Sequence, residues 1–375
     1  MPIHPIGQVK KKGTVGSPYA VRDYFKVNPD YGTPDDLKRL VREAHRQNLK
    51  VIIDIVANHT SWDNPMLGTP AYSKRDAAGQ VQSPFDWSDV AALDYTNPKL
   101  RSYMAGMLQY WIREYDLDGF RCDAAGLVPT SFWEESRRAL EQIKPDIVLL
   151  AESHQADLLA EAFDLDYAWP VYHAMKDAII GNREARAVRE EWEAERRSYP
   201  RGALHMRIAD DHDEKRAIAL FGERGALAAS ALILTMDGVP LLYNGMEVGD
   251  VTESTAPALF EKLPVFWEIR DRRPEFPPFY QHMIRLRQAH SALRNGATIW
   301  PRNSDETRII TVLGQDDREE ILVAVNLSNR PFIGTAEIAG AGFIEITRGV
   351  EAPGPAPLPA LSLDAWGFRL FRRSR

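Results

Sequence analysis

Three segments place ionisable side chains where an apolar run ends, and they set the chemistry the chain could perform. Residues 119–126 read GFRCDAAG, Glu152 closes the apolar run 147–151, and residues 205–209 lead into Asp210, Asp211, His212 and Asp213. In a strand, alternate residues share a side, so Leu117, Gly119, Arg121 and Asp123 face one way and Asp118, Phe120 and Cys122 the other. An arginine on the same side lowers a carboxylate's pKa and orients it through a two-pronged hydrogen bond, as a carboxylate nucleophile requires. Glu152 follows apolar residues with no adjacent cation in the sequence, which suits a general acid/base that keeps its proton. Two carboxyls of this kind, roughly 5 to 5.5 Å apart, are the equipment of retaining glycoside hydrolysis: one attacks the anomeric carbon and the other protonates the leaving oxygen. Around them, His59 and His212 can donate to sugar oxygens, Asp213 can bind sugar hydroxyls and Tyr19 can stack on a sugar ring. The competing reading is a metal site built from His59, His212, Asp123 and Asp213, against which stands the lack of a His-x-His pair.

These residues need elements to hold them. Residues 1–32 lack helical period and read as a long loop containing Tyr19, Asp23 and Tyr24. Thr33 and Pro34 start a helix whose Leu37, Leu40, Val41 and Ala44 fall on one face, ending near Asn48. Residues 51–56 form a β-branched run interrupted by Asp54 and emptying into Ala57, Asn58 and His59, as expected of a buried parallel strand. From 60 to 95 the pattern dissolves into Pro, Gly, Asp and aromatics, including Trp62, Phe85 and Trp87, and a loop of that length is usually functional. Asn97 and Pro98 open a helix carried by Leu100, Met104, Met107 and Trp111, which feeds the Arg121/Asp123 strand. Further helices are predicted at 130–143 and 226–236, with a helix-rich stretch at 158–199. Strands are predicted at 147–151, 163–167, 205–209 and 239–243. Strands alternating with helices specify parallel βαβ units. No glycine pattern has GxGxxG or P-loop spacing, which disfavours an open doubly wound sheet. A closed (β/α)8 barrel of the TIM type gathers functional side chains at the C-terminal ends of several strands, and that is the distribution here. After Arg294 the pattern changes to short alternating strands (309–313, 321–326, 367–371) with Pro/Gly turns, a separate all-β module.

The composition narrows the field. With 375 residues, 44% hydrophobic and 26% charged, the chain is long enough for one large domain and a smaller one. A net charge of −7 without a long Lys/Arg run argues against nucleic acid as a partner, and the mixed-charge segment 183–201 reads as an exposed helix face. The single cysteine, Cys122, excludes internal disulfides and any multi-cysteine metal site. No run of about 18 apolar residues is evident, so no membrane is expected as a partner. The first residues, MPIHPIGQVKKKG, lack the apolar core of a signal peptide.

With these residues in view the chain resembles the α-amylase family of glycoside hydrolases. DIVANH (54–59), GFRCD (119–123), Glu152 in LLAES and His212-Asp213 are similar to its four conserved motifs in order and spacing, and SPYAVRDY (17–24) and GVPLLYNGME (238–247) extend the likeness over nearly the whole chain. The resemblance implies Asp123 as nucleophile, Glu152 as general acid/base and Asp213 as transition-state stabiliser. Tyr19, His59, Arg121 and His212 would line the subsite of the sugar whose bond is cleaved. It implies a barrel over 1–59 and 96–293, a short inserted domain over 60–95, and a C-terminal β-sandwich over 294–375. Asn58 matches a residue that ligates structural calcium in many members, while the chemistry itself calls for no cofactor. Malto-oligosaccharides or starch-like α-glucans are the implied substrates. A glucan transglycosylase or trehalose-forming isomerase would use the same residues, and a catalytically impaired binding or scaffold homologue stays open. Three departures stand out: Asp211 where the family usually has Asn, Gly126-Leu127 where many amylases have Lys-His, and a short inserted loop. Relative to the family, the chain is expected to lack the first strand and helix of the barrel, so a homo-oligomer or another segment would cover the open edges, and the compartment is not readable.

Overall fold

The computed structural model describes residues 1–347 and 356–375. They divide into two compact units, 1–167 with 199–204 and 256–262 in the first, and 168–198 with 205–255 and 263–375 in the second.

In the first unit, helix α1 (Pro34–Arg46) starts from a capping box in which the Thr33 side chain accepts from Asp36 N and the Asp36 carboxylate accepts from Thr33 N. The apolar face expected on α1 is narrower than the sequence suggests: Val41 is buried, whereas Leu40, about 100° round the helix from it, is 58% exposed. Helix α2 (Pro98–Tyr115) is capped by Asn97, whose side chain accepts from Lys99 N, and buries Leu100, Met104, Met107 and Trp111 completely. Strand β1 (Ile52–Val56) pairs in parallel with β4 (Gly119–Asp123), setting Asp54 opposite Arg121 and Val56 opposite Asp123. Between them β2 (His59–Ser61) and β3 (Val90–Ala92) form an antiparallel pair. After α3 (Thr130–Glu141), β5 (Val148–Ala151) joins β4, and after α4 (Leu158–Glu161), β6 (Leu165–Tyr167) joins β5, both in parallel. Gly119 is required where β4 meets β5, because a Cβ there would lie 1.8 Å from Val148 O.

The second unit opens with α5 (Trp169–Ile179) and α6 (Arg186–Ser198). Opposite the face expected to be exposed, the mixed-charge helix α6 buries Ala187, Val188, Trp192 and Glu195, and Glu195 accepts from Arg207 Nη1 at 2.7 Å. Strand β7 (Leu204–Arg207) pairs in parallel with β8 (Val239–Pro240). The strand expected over 239–243 is shorter and stops at Pro240, with one further hydrogen bond to β7 from Leu241 N to Arg207 O at 2.9 Å. The helix expected over 226–236 is longer, α7 (Ala217–Thr235), with a break in helical geometry at Gly222, φ 70°. By length and composition α7 could cross a membrane, although the sequence reading found no such run; 67% of its apolar window is buried, as in a core helix. Helix α8 (Phe276–Ala289) follows. The remaining chain forms a five-stranded antiparallel sheet and a separate pair: β9 (Ala297–Ile299), β10 (Ile309–Gln315), β11 (Glu319–Asn326), β13 (Ile344–Glu345) and β15 (Phe368–Ser374) in the order β13-β15-β11-β10-β9, and β12 (Phe332–Thr335) with β14 (Ala360–Leu363).

Candidate active site

The parallel register of the first unit assembles a buried charge cluster around Arg121. Its Nη1 donates to both oxygens of Asp54, at 2.9 and 3.1 Å, and to Asp123 Oδ1 at 3.2 Å, while Nη2 lies 2.9 Å from Glu152 Oε1. The guanidinium also sits 5.7 Å from the ring centroids of Tyr19 and Tyr167, and Nε donates to the Tyr167 hydroxyl at 3.3 Å. Tyr19 donates from its hydroxyl to Asp54 Oδ2 at 3.1 Å, closing the cluster on the side of β1. Thus one cation serves three carboxylates, Asp54 in the middle of β1, Asp123 at the end of β4 and Glu152 just beyond β5.

This arrangement corrects two expectations. The two-pronged partner of Arg121 is Asp54, across the β1–β4 ladder, whereas Asp123 receives a single hydrogen bond. Glu152, which has no cation near it in the sequence, meets that guanidinium in space and also accepts from Ala124 N at 2.7 Å. Ala124 takes the left-handed conformation, φ 45°, which turns its N–H back toward Glu152. Asp123 consequently behaves opposite to the sequence reading: burial pushes its carboxyl well above the usual range, the neighbouring Glu152 pushes it further, and Arg121 only partly opposes them.

His59 stands at the start of β2, almost fully buried, with its Nδ1 3.2 Å from the Asn58 side-chain nitrogen and its ring edge-to-face with Trp87 at 5.3 Å. Burial lowers it to about 4, so it is neutral near pH 7 and donates from a single ring N–H. Asp54 and Tyr167 are the members of the cluster that sequence reasoning missed. The available signal for Asp54 was a charge interrupting an apolar strand.

His212 and Asp213 belong to the second unit, at the turn after β7. Asp211 is buried, and its Oδ1 accepts from Asp213 N at 2.7 Å; His212 Nε2 lies 3.3 Å from Asp213 Oδ2. Asp210, also buried, lies 3.3 Å from Arg216 Nε, yet burial still raises its carboxyl to about 7. Arg216 stacks over Tyr243 at 4.5 Å and donates to Asn244 O at 3.0 Å, so the region following β8 holds the cation that faces this turn.

The family model for the alpha amylase catalytic domain matches residues 3–77 and 76–262, more than half of the chain. The chain belongs to the alpha-amylase family. A cyclomaltodextrinase of a Bacillus species is 30% identical over 341 residues, covering 84% of this chain and 61% of that relative's length. Among solved structures, a maltogenic alpha-amylase from Thermotoga neapolitana superposes with a TM-score of 0.84 at 30% identity, over 100% of this chain and 87% of that one. An alpha-amylase from Lactobacillus plantarum does so with a TM-score of 0.85 at 28% identity, over 99% of this chain and 89% of that one. The parallel strands of the two units are accordingly those of the family's (β/α)8 barrel, followed by its C-terminal β domain.

Just after β4 the chain is closely packed at Gly126. A Cβ on Gly126 would lie 2.5 Å from Gln155 Nε2 and 2.7 Å from Ser153 Oγ, so side chains from the segment after β5 fill the space that a larger residue would need. Leu127 beside it is 44% exposed. Calcium takes about six to eight oxygen ligands. Asn58 offers one amide, whose nitrogen faces His59 Nδ1, and among the described residues the one gathering of three His, Cys, Asp or Glu ligand atoms is Asp211, His212 and Asp213 in the other unit. Asn58 with His59 beside it supplies too few oxygens to hold calcium by itself.

Proposed function

We propose that this chain is a retaining glycosidase cleaving α-1,4-glucosidic bonds of malto-oligosaccharides or starch-like glucans, with Asp123 as nucleophile, Glu152 as general acid/base and Asp213 stabilising the transition state. The observation that carries the reading is the pairing of buried Asp123 and half-buried Glu152 on one guanidinium. Burial and the neighbouring Glu152 raise the Asp123 carboxyl, and the reaction needs one proton in the pair: an ionised nucleophile and a protonated acid. A glucan bound between the carboxyls must find that proton on Glu152. Asp123 then attacks the anomeric carbon, Glu152 gives its proton to the departing glycosidic oxygen, and the sugar becomes esterified to Asp123. In the second half Glu152 takes a proton from water, whose oxygen displaces Asp123, and the original protonation state returns. Arg121, held by Asp54, balances the negative charge as the pair passes through these states. His59, Tyr19 and His212 contact the sugar in this reading. The printed names of relatives, a cyclomaltodextrinase and a maltogenic alpha-amylase, support the choice of α-glucan.

Reducing-sugar release from maltoheptaose, cyclodextrin, pullulan and sucrose tests the reading. Asp123→Asn and Glu152→Gln should each lower turnover by roughly ten thousandfold while the fold is kept, the scale seen when a member of a covalent catalytic set is removed. Proton NMR of the first product should show the α-anomer. Full activity in either variant, or a β-anomer formed first, would overturn it.

A further inference from the structure

The long segment between β1 and α2 holds an aromatic series that starts at His59 and continues through two rings, Trp87 and Phe85, to which the proposed chemistry gives no role. His59 meets Trp87 edge-to-face at 5.3 Å, and Trp87 meets Phe85, again with centroids 5.3 Å apart. His59 is buried, Trp87 half-buried and Phe85 71% exposed, so the three rings step outward from the proposed sugar site into solvent. A single exposed Phe is ordinary. This one also has φ 52°, a conformation that bulky residues avoid.

Such a strained residue persists only where its surroundings fix it. Trp87 N donates to Pro84 O at 3.1 Å across the turn, Trp62 Nε1 donates to Ser88 O at 3.0 Å, and Asp89 pairs with Lys12 at 2.9 Å. Trp62 is itself covered by the Lys10 ammonium, 3.4 Å above its ring. Four ties therefore hold one turn of backbone, and their result is an apolar ring presented to water at the outer end of a chain of rings that begins at His59. Burying Phe85 would have been cheaper for stability alone.

We propose that Phe85, backed by Trp87, is an outer binding platform for the glucan, stacking on the apolar face of a glucose unit beyond the one contacted by His59. This rests on the glycosidase reading and adds to it a preference for longer chains. Flat aromatic faces beside polar groups suit pyranose rings, which are apolar on their faces and polar at their rims, and Asp86, exposed next to Phe85, supplies an acceptor for a rim hydroxyl.

The test compares wild type with Phe85→Asn, which removes the ring but is at ease with a left-handed backbone, and Phe85→Trp, which restores a ring. The ratio of kcat/KM for maltoheptaose to that for maltotriose should fall about tenfold in Phe85→Asn and recover in Phe85→Trp, tenfold being the scale of one aromatic stacking contact. Tryptophan fluorescence should report maltoheptaose binding that weakens by a similar factor in Phe85→Asn. An unchanged length ratio together with unchanged maltoheptaose affinity would overturn the platform. If wild type hydrolyses none of the glucans, the glycosidase reading fails, and the fluorescence titration alone decides the platform: weaker binding in Phe85→Asn upholds it and equal binding sinks it.

Discussion

Asp54 is the residue on which the charge cluster turns. It is a buried carboxylate in the middle of an apolar strand, and such a group is costly unless it is paired. Its pairing with Arg121 across the β1–β4 ladder leaves the guanidinium one hydrogen bond for Asp123 and one contact for Glu152. Its negative charge also pushes the Asp123 carboxyl upward. Asp54→Asn should therefore act in two ways. Loss of the anchor lets Arg121 shift and lowers kcat/KM by roughly a hundredfold, the cost of misplacing a positioned group by about an ångström. Loss of the charge lowers the Asp123 pKa, so the acid limb of the pH–rate profile moves to lower pH. An acid limb left where it is in wild type would show that the Asp54 charge does not bear on Asp123. The sequence could not disclose this role, because the register that sets Asp54 opposite Arg121 joins residues 67 apart. It showed only a charge in an apolar run.

At the scale of elements, much was legible wherever a local pattern decided the outcome. The alternation in β4 correctly set Arg121 and Asp123 on one side, and the period of α2 named four residues that are all fully buried. Errors arose where tertiary contact or backbone chemistry overrode pattern. Leu40 shares an apolar stripe with Val41 but falls at its exposed margin, β8 stops at Pro240, and α7 starts at Ala217, nine residues ahead of the expected helix, with a break at Gly222. The Glu152 environment was misread because its cation comes from another strand. Gly119 is the position where sequence and packing meet most tightly, since it lets β4 lie against Val148 O of β5. Gly119→Ala would drive β4 and β5 apart and should cost more than about 4 kcal/mol, with the chain found largely insoluble or melting far below wild type. A soluble Gly119→Ala protein with near-normal melting would show that the two strands have slack that the geometry does not reveal.

For the whole molecule, buried titratable groups make acid and alkali act on different units. The first unit holds His4 and His59, each lowered by burial to about 4 from 6.5. Between those values the unfolded chain binds more protons than the folded one, so their contribution is intact above pH 6.5 and stability is lost as pH falls toward 4. Asp123 in the same unit runs the other way and offsets part of that loss. In the second unit Asp210 is raised from 3.8 to about 7, so the unfolded chain releases its proton first and stability is lost as pH rises through that window. Substitutions that remove each titration should therefore gain at opposite ends. Asp210→Asn should raise the melting temperature relative to wild type more at pH 7.5 than at pH 4.5, because Asn stays neutral where Asp210 must carry charge in a buried position. His4→Gln should do the reverse, with its relative gain at pH 4.5, because His4 packs against Trp111 and Tyr24 with no room for a hydrated imidazolium. Full shifts of this size correspond to a few kcal/mol each, an upper bound since buried sites relax. Calorimetric scans of wild type and both variants at the two pH values decide the matter: relative gains that do not reverse sign of slope with pH between the two variants would show that neither burial governs the stability of its unit.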